Sequence, residues 1–231
     1  FFGLGFTGLM INGTTDYLDQ FNEPDLSFGG AGGKASVEII DEGDAFGNIN
    51  TQNNAFQFGI NVDSNSAPFT IHSELETPFA GITPEDYQSY GIFIGTGDQD
   101  NYLKFVIMDG VTNGDGINGF EVLLENAGVT SSLKYDVPDL LLANAIDIYI
   151  NVNPSTNTAL PYYSLDGGNT INVIGLPITL PIGFLAPNID KGMAVGIIST
   201  SFGPGTDFSA TWDFIDISED APADLSVTPD P

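Results

Sequence analysis

The residues best equipped for chemistry lie in one stretch, Gly91 to Met108, GIFIGTGDQDNYLKFVIM. Two apolar runs flank a turn in which Asp98, Gln99, Asp100 and Asn101 crowd together between glycine and tyrosine. Calcium takes roughly six to eight oxygen ligands from carboxylates, amide oxygens and backbone carbonyls. Asp98, Asp100 and Asn101 therefore qualify as metal ligands, and with Gln99 as partners for ligand hydroxyls. The same residue types also close turns by bonding their own backbone, which competes with a metal role. Lys104 stands between Leu103 and Phe105 and shares a strand face with Tyr102 and Val106. In so acidic a chain it either pairs with a carboxylate or donates to a bound hydroxyl or carboxylate.

Other oxygen-rich positions follow. The loop Asp109–Gly116 carries Asn113 and Asp115 at a spacing that resembles part of an EF-hand loop. The twelfth-position glutamate is missing, since Val122 falls there if Asn113 and Asp115 take the third and fifth places. Asp213 and Asp216 interrupt an apolar final segment, where a carboxylate is costly unless paired or metal-bound. Asp213 is accordingly a metal candidate, with an outward-facing acid as the alternative. Tyr149, flanked by Asp147 and Asn151, fits a sugar platform, because sugars stack on aromatic rings while acids and amides take the hydroxyls. Trp212 alternates in step with Phe208, Ala210 and Phe214 and is expected in the core.

Catalytic patterns are sparse. A retaining glycosidase places two carboxyls about 5–5.5 Å apart. In Glu38-Ile-Ile-Asp-Glu42 only Glu38 and Glu42 share a face, and Ile40 stands between them. His72 is the sole histidine, and there is no cysteine or arginine to join it. The residues thus predict no enzyme.

The elements that must position these groups read as short strands. Phe69–Glu76 alternates, with Phe69, Ile71 and Leu75 on one face and Thr70, His72, Glu74 and Glu76 on the other. Ile146–Asn153 repeats the pattern. Period two with one polar face marks an antiparallel strand. Thr83-Pro-Glu-Asp is the best helix start, good for a single turn. Many short strands with turns between them and no long helix predict an all-β, two-sheet antiparallel sandwich, most simply a jelly roll. Residues 1–217 are expected to form one ligand-binding domain. Residues 218–231, rich in Pro, Ala and Asp, read as a linker to a following domain.

Composition narrows the partners. Thirty-one Asp and Glu face four lysines, for a net charge of −27 over 231 residues. Neutralising phosphate needs Lys and Arg, so nucleic acid and anionic membrane surfaces are excluded as partners. No run approaches the ~18 apolar residues of a membrane-spanning helix, and no basic leader is read in the sequence, which is expected to be a module of a longer exported protein.

GIFIGTGDQDNYLKFVI, GFEVLLE, IDIYINVNPSTN, MAVGIIST and FSATWDFIDI together resemble a concanavalin A-like (laminin-G-like) module of large secreted or surface bacterial proteins, adhesins among them. The resemblance runs over most of the chain, from roughly Phe69 to Ile217. It implies a jelly roll, bound Ca2+ and, by analogy, glycan binding. The combined expectation is a non-catalytic, calcium-dependent, lectin-like module of a secreted or cell-surface adhesin. Its partner would be a glycan or short peptide on a cell or polymer surface, with neighbouring domains of the same chain. The alternatives are a peptide-binding domain and a structural spacer, with a glycoside hydrolase further behind. Asp98, Asp100, Asn101, Asn113, Asp115 and Asp213 would hold metal, while Asp98, Gln99, Asp100, Asn101, Lys104 and Tyr149 would meet the ligand.

Overall fold

The computed structural model describes residues 6, 8–10, 26–29, 33–40, 43–85, 87–109, 117–185, 192–201 and 207–219. In chain order the strands are β1 (Gly8–Leu9), β2 (Leu26–Gly29), β3 (Lys34–Ile40), β4 (Ala45–Phe46), β5 (Ile49–Asn50), β6 (Asn54–Ile60), β7 (Phe69–Glu76), β8 (Ser89–Gly95) and β9 (Asn101–Asp109). They continue as β10 (Asn118–Asn126), β11 (Val129–Asp136), β12 (Ala145–Asn153), β13 (Thr158–Ser164), β14 (Asn172–Val173), β15 (Ile178–Thr179), β16 (Met193–Thr200) and β17 (Phe208–Ser218). One sheet runs β1-β6-β16-β8-β9-β10-β11, and the other runs β14-β13-β12-β7-β17-β3-β2 with β15 beside β13. Every strand pairing among the described residues is antiparallel. The expected two-sheet antiparallel β-sandwich is the fold.

Alternation decides which side chains enter the sandwich. Ile71 and Leu75 of β7, Ile146, Ile148 and Ile150 of β12, and Leu103, Phe105 and Ile107 of β9 all meet in the core between the sheets. Trp212 joins them as expected, edge-on to Tyr90 at 5.4 Å between ring centroids. Its indole Nε1 donates to the Gly91 carbonyl at 3.0 Å. A buried indole N–H needs such a partner, and this one ties the two sheets together.

The far face of the first sheet is also partly covered. Phe93, Tyr102, Val106, Leu123, Ala194 and Ile198 form a second apolar cluster there with Met10, Ala45 and Ala55. Ala45 belongs to the small hairpin β4–β5, which crosses this face. The double coverage explains why β8 and β9 are apolar on both faces, a pattern otherwise expected only of doubly buried strands.

The expected helical turn at Thr83 is not formed. A 3-10 turn lies instead at Pro78–Gly81. Packing places it: Phe79 is wholly buried against Tyr90 and Phe208, each 5.3 Å away between ring centroids. Its backbone takes a left-handed φ of 52°, a strain sustained by that burial. The expected linker falls on residues outside those described from 220 onwards. No helix among the described residues is long and apolar enough to cross a membrane.

Candidate functional site

The register of β9, β10 and β11 sets polar side chains in rows on the outer face of the first sheet. Lys134, Glu121 and Val106 form one row, and Ser132, Leu123 and Lys104 the next. Over these rows opens a cleft of about 310 Å3, with Lys104, Glu121, Ser132 and Lys134 from the sheet and Asp44, Phe46 and Tyr87 from flanking segments.

The polar part of the cleft is a desolvated network. Lys104 is 2% exposed and Glu121 8%. Lys104 Nζ lies 3.5 Å from Glu121 Oε2, and Ser132 Oγ donates to Glu121 Oε1 at 2.7 Å. Each charge therefore has a partner, as burial requires. Lys134 Nζ sits 4.8 Å from the centroid of the Tyr87 ring, a cation–π distance. Tyr87 reaches this position from a backbone with φ of 55°, a strained conformation of the kind found at ligand clamps. Phe46 is 42% exposed at the rim. Asp44 turns one carboxylate oxygen back to the Ala45 amide at 2.8 Å. Aromatic faces beside fixed acids, lysines and a hydroxyl make a surface that can stack a sugar ring and bond its hydroxyls.

The hairpin that carries Phe46 is anchored from below. Glu125 accepts from the Gly47 amide at 3.0 Å. The Tyr102 hydroxyl donates to the Ala45 carbonyl, and Asn50 Nδ2 donates to Asp100 Oδ1 at 2.8 Å. Burial pushes the Glu125 carboxyl up to about 7, opposed by the Gly47 amide, the neighbouring Tyr102 hydroxyl and the Lys104 charge and aided by the Asp100 charge.

The structure brings Asp98, Gln99, Asp100 and Asn101 together at one end of the first sheet, where their polar atoms close turns and tether segments. Asp98 Oδ1 accepts from the Asp100 amide and from Asn101 Nδ2, both at 3.0 Å, and Oδ2 accepts from Thr96 at 2.7 Å. Asn101 Oδ1 accepts from the Ala127 amide at 3.0 Å. Gln99 is buried and exchanges two hydrogen bonds with the Gln52 backbone, at 3.2 and 2.8 Å. Lys104 lies apart from them, in the cleft. Asn113 and Asp115 fall outside the described residues, as do the side chains of Glu38 and Glu42.

Tyr149 departs from its expected role. It is only 5% exposed, and His72 stacks on its ring at 4.1 Å and 20° between planes. The ring face proposed for sugar is therefore taken by a neighbour one strand away. His72 is held there by Asp147, with 2.8 Å between Nε2 and Oδ1. Asp213 lies on the outer face of the second sheet, where its carboxylate and those of Glu74 and Glu76 come within 4.8 Å of one another. Such a triad is compatible with a metal ion. Lys34 bonds Glu76, and burial together with Asp147, Asp213 and Glu76 raises the Glu74 carboxyl above its usual range.

Glu121, Ser132, Lys134, Tyr87, Asp44 and Phe46 escaped the sequence. The one available signal was Val129–Asp136, where Thr130, Ser132 and Lys134 alternate with Val129, Leu133 and Tyr135. Lysine is so scarce in this chain that its recurrence there carried information.

No protein-family model and no curated protein matches the chain. Solved structures do match its fold. A GH43 protein, BlXynB, from Bacillus licheniformis superposes at TM-score 0.60 with 16% identity over 80% of this chain and 32% of its own. A functionally unknown protein from Saccharomyces cerevisiae gives 0.57 at 15% identity, covering 86% and 90% of the two chains. The metal-free form of lectin I-B4 from Griffonia simplicifolia gives 0.52 at 12% identity, covering 84% and 90%. The chain spans about a third of the length of the BlXynB structure it matches. The lectin-like sandwich is thus supported, but the adhesin setting is not. The expectation of a non-catalytic, calcium-dependent adhesin module is corrected, because most of these neighbours are glycoside hydrolases, a xylan β-1,4-xylosidase from Bacillus halodurans included. At these identities the likeness is one of fold, and this fold gives no ground for excluding an enzyme.

Proposed function

We propose that the chain is a carbohydrate-handling β-sandwich of a glycoside-hydrolase-type protein, taking a saccharide in the cleft above Lys104 and Glu121. The observation that carries this is the combination of aromatic rims, Phe46 and Tyr87, with the desolvated Lys104–Glu121–Ser132 network in one cleft. Such a site pairs apolar ring stacking with fixed donors and acceptors for hydroxyls. The glycoside hydrolases and the lectin among its structural neighbours support a saccharide over other ligands. In this reading Lys104, which pairs with Glu121 at 3.5 Å, is the donor to a saccharide hydroxyl. Asp98 to Asn101 hold the loop end that anchors the wall of the cleft. The working compartment is extracellular, where polymeric saccharides are found. Calcium belongs to the Glu74–Glu76–Asp213 triad, whose clustered oxygens suit a hard cation.

The test is a glycan array on the intact chain and on Phe46→Ala, with reducing-sugar release followed in parallel. The proposal expects saccharide binding that Phe46→Ala weakens by about tenfold, equivalent to about 1.4 kcal/mol. Release of reducing sugar by the chain would add turnover to binding. Absence of any saccharide ligand, or binding untouched by Phe46→Ala, removes the cleft from the function.

A further inference from the structure

The cations of this chain are few enough to be followed one by one. Its four lysines are Lys34, Lys104, Lys134 and Lys191, and it has no arginine, against 31 acids. Lys191 falls outside the described residues. Lys34 bonds Glu76 on the second sheet. Lys104 and Lys134 both line the one cleft over the first sheet. The register sets them on either side of Glu121: Lys134 stands directly across from it on β11, and Lys104 lies diagonally across on β9. The formal charges of the lining groups Asp44, Glu121, Lys104 and Lys134 therefore cancel, in a molecule whose net charge is −27.

The acids of the cleft are engaged by the protein itself. Glu121 Oε2 faces Lys104 and Oε1 accepts from Ser132, while Asp44 turns one oxygen to the Ala45 amide. The lysines are less fully used. The Lys104–Glu121 contact of 3.5 Å is longer than the roughly 2.7–3.2 Å of an N–H···O hydrogen bond. An ammonium carries three donor protons, and a single contact of that length does not saturate one that is almost closed to water. Lys134 Nζ lies 4.8 Å from the Tyr87 ring centroid, which fixes a second positive charge beside a stacking face. A neutral sugar needs donors and acceptors alike, because each hydroxyl is both. An anionic oxygen needs donors alone, and its bonds to an ammonium are stronger than neutral ones.

We propose, resting on the saccharide reading of this cleft, that its ligand is an acidic saccharide. The ring stacks on Phe46 or Tyr87, and its anionic group is held by Lys104 and Lys134. That group is a uronate carboxylate or a sulfate ester, which present the same single charge to an ammonium. The acids elsewhere on the chain oppose any anion, so selection rests on these two contacts rather than on the overall field.

The experiment is calorimetric titration of the intact chain with matched pairs of oligosaccharides. The pairs are oligogalacturonate and its methyl ester, a glucuronate-bearing xylo-oligosaccharide and its unsubstituted counterpart, and a sulfated galacto-oligosaccharide and its desulfated form. The proposal expects at least one acidic member to bind about tenfold or more tightly than its neutral partner. The pair that shows the preference tells carboxylate from sulfate. Lys134→Gln, a change on the edge strand β11, is expected to fold and to remove most of that preference. Lys34→Gln takes the same charge from the other sheet and keeps it. Neutral members bound as tightly as acidic ones in every pair overturn the proposal, and so does a preference undiminished in Lys134→Gln. If neutral saccharides bind without preference and Phe46→Ala weakens them, this inference falls and the saccharide cleft stands. If no saccharide of any kind binds, both fall.

Discussion

Lys104 and Glu121 lie diagonally across β9 and β10, 3.5 Å from nitrogen to oxygen and almost closed to water. Removing one member strands the other as a buried charge, a loss of about 3–5 kcal/mol. Lys104→Met and Glu121→Gln are each expected to destabilise strongly by urea unfolding. The double variant Lys104→Met/Glu121→Leu should recover most of that loss, giving a large coupling energy in the cycle. Additive losses would show that the two charges do not depend on each other.

The outer cluster under the hairpin gives a second prediction. Phe93 is wholly buried in it. Phe93→Ala should cost about 3–5 kcal/mol and, by loosening the seat of β4–β5, speed proteolysis near Gly47. A stability change below about 1 kcal/mol would mean that the hairpin does not cover this face in solution.

Much of this fold was legible because its strands obey a simple rule. β7 and β12 have one apolar and one polar face, and both appear as read. The cleft was hidden for three reasons. β11 is an edge strand with exposed Val129 and Leu133, so its alternation does not mark a core. Glu121 carries no local signal, because its link to Lys104 is fixed only by the register of β9 and β10. Asp44 and Phe46 arrive through a crossing hairpin that no local pattern announces. Tyr149 shows the converse, since alternation placed it correctly on the outer face but could not reveal that His72 pairs opposite it and covers its ring.

Tyr149 also supplies a pH prediction. Burial first, then the Asp147 and Glu74 charges, push its hydroxyl up to about 12. An unfolded tyrosine releases its proton near 10. Between these values the folded state binds more protons than the unfolded state, so stability falls as pH rises, by up to about 1.4 kcal/mol per pH unit. Below about pH 10 the group is neutral in both states and contributes no slope. Tyr149→Phe should flatten the fall in melting temperature between about pH 10 and 12. An identical slope in that variant would contradict the assignment.

The indole bond between sheets gives the fourth prediction. Trp212→Phe keeps an aromatic ring but leaves the Gly91 carbonyl without its donor, at a cost of about 1–3 kcal/mol. Circular dichroism must follow the unfolding, because Trp212 is the only tryptophan. Unchanged stability would show that the Gly91 carbonyl finds another partner.

The most direct measurement is a crystal structure of the chain with the strongest saccharide from the glycan array. The account predicts the sugar ring against Phe46 or Tyr87, with hydroxyls within hydrogen-bonding distance of Glu121, Ser132 or Lys134. A saccharide seated on the second sheet, beside His72 and Tyr149, with the cleft over Lys104 left empty, would contradict it.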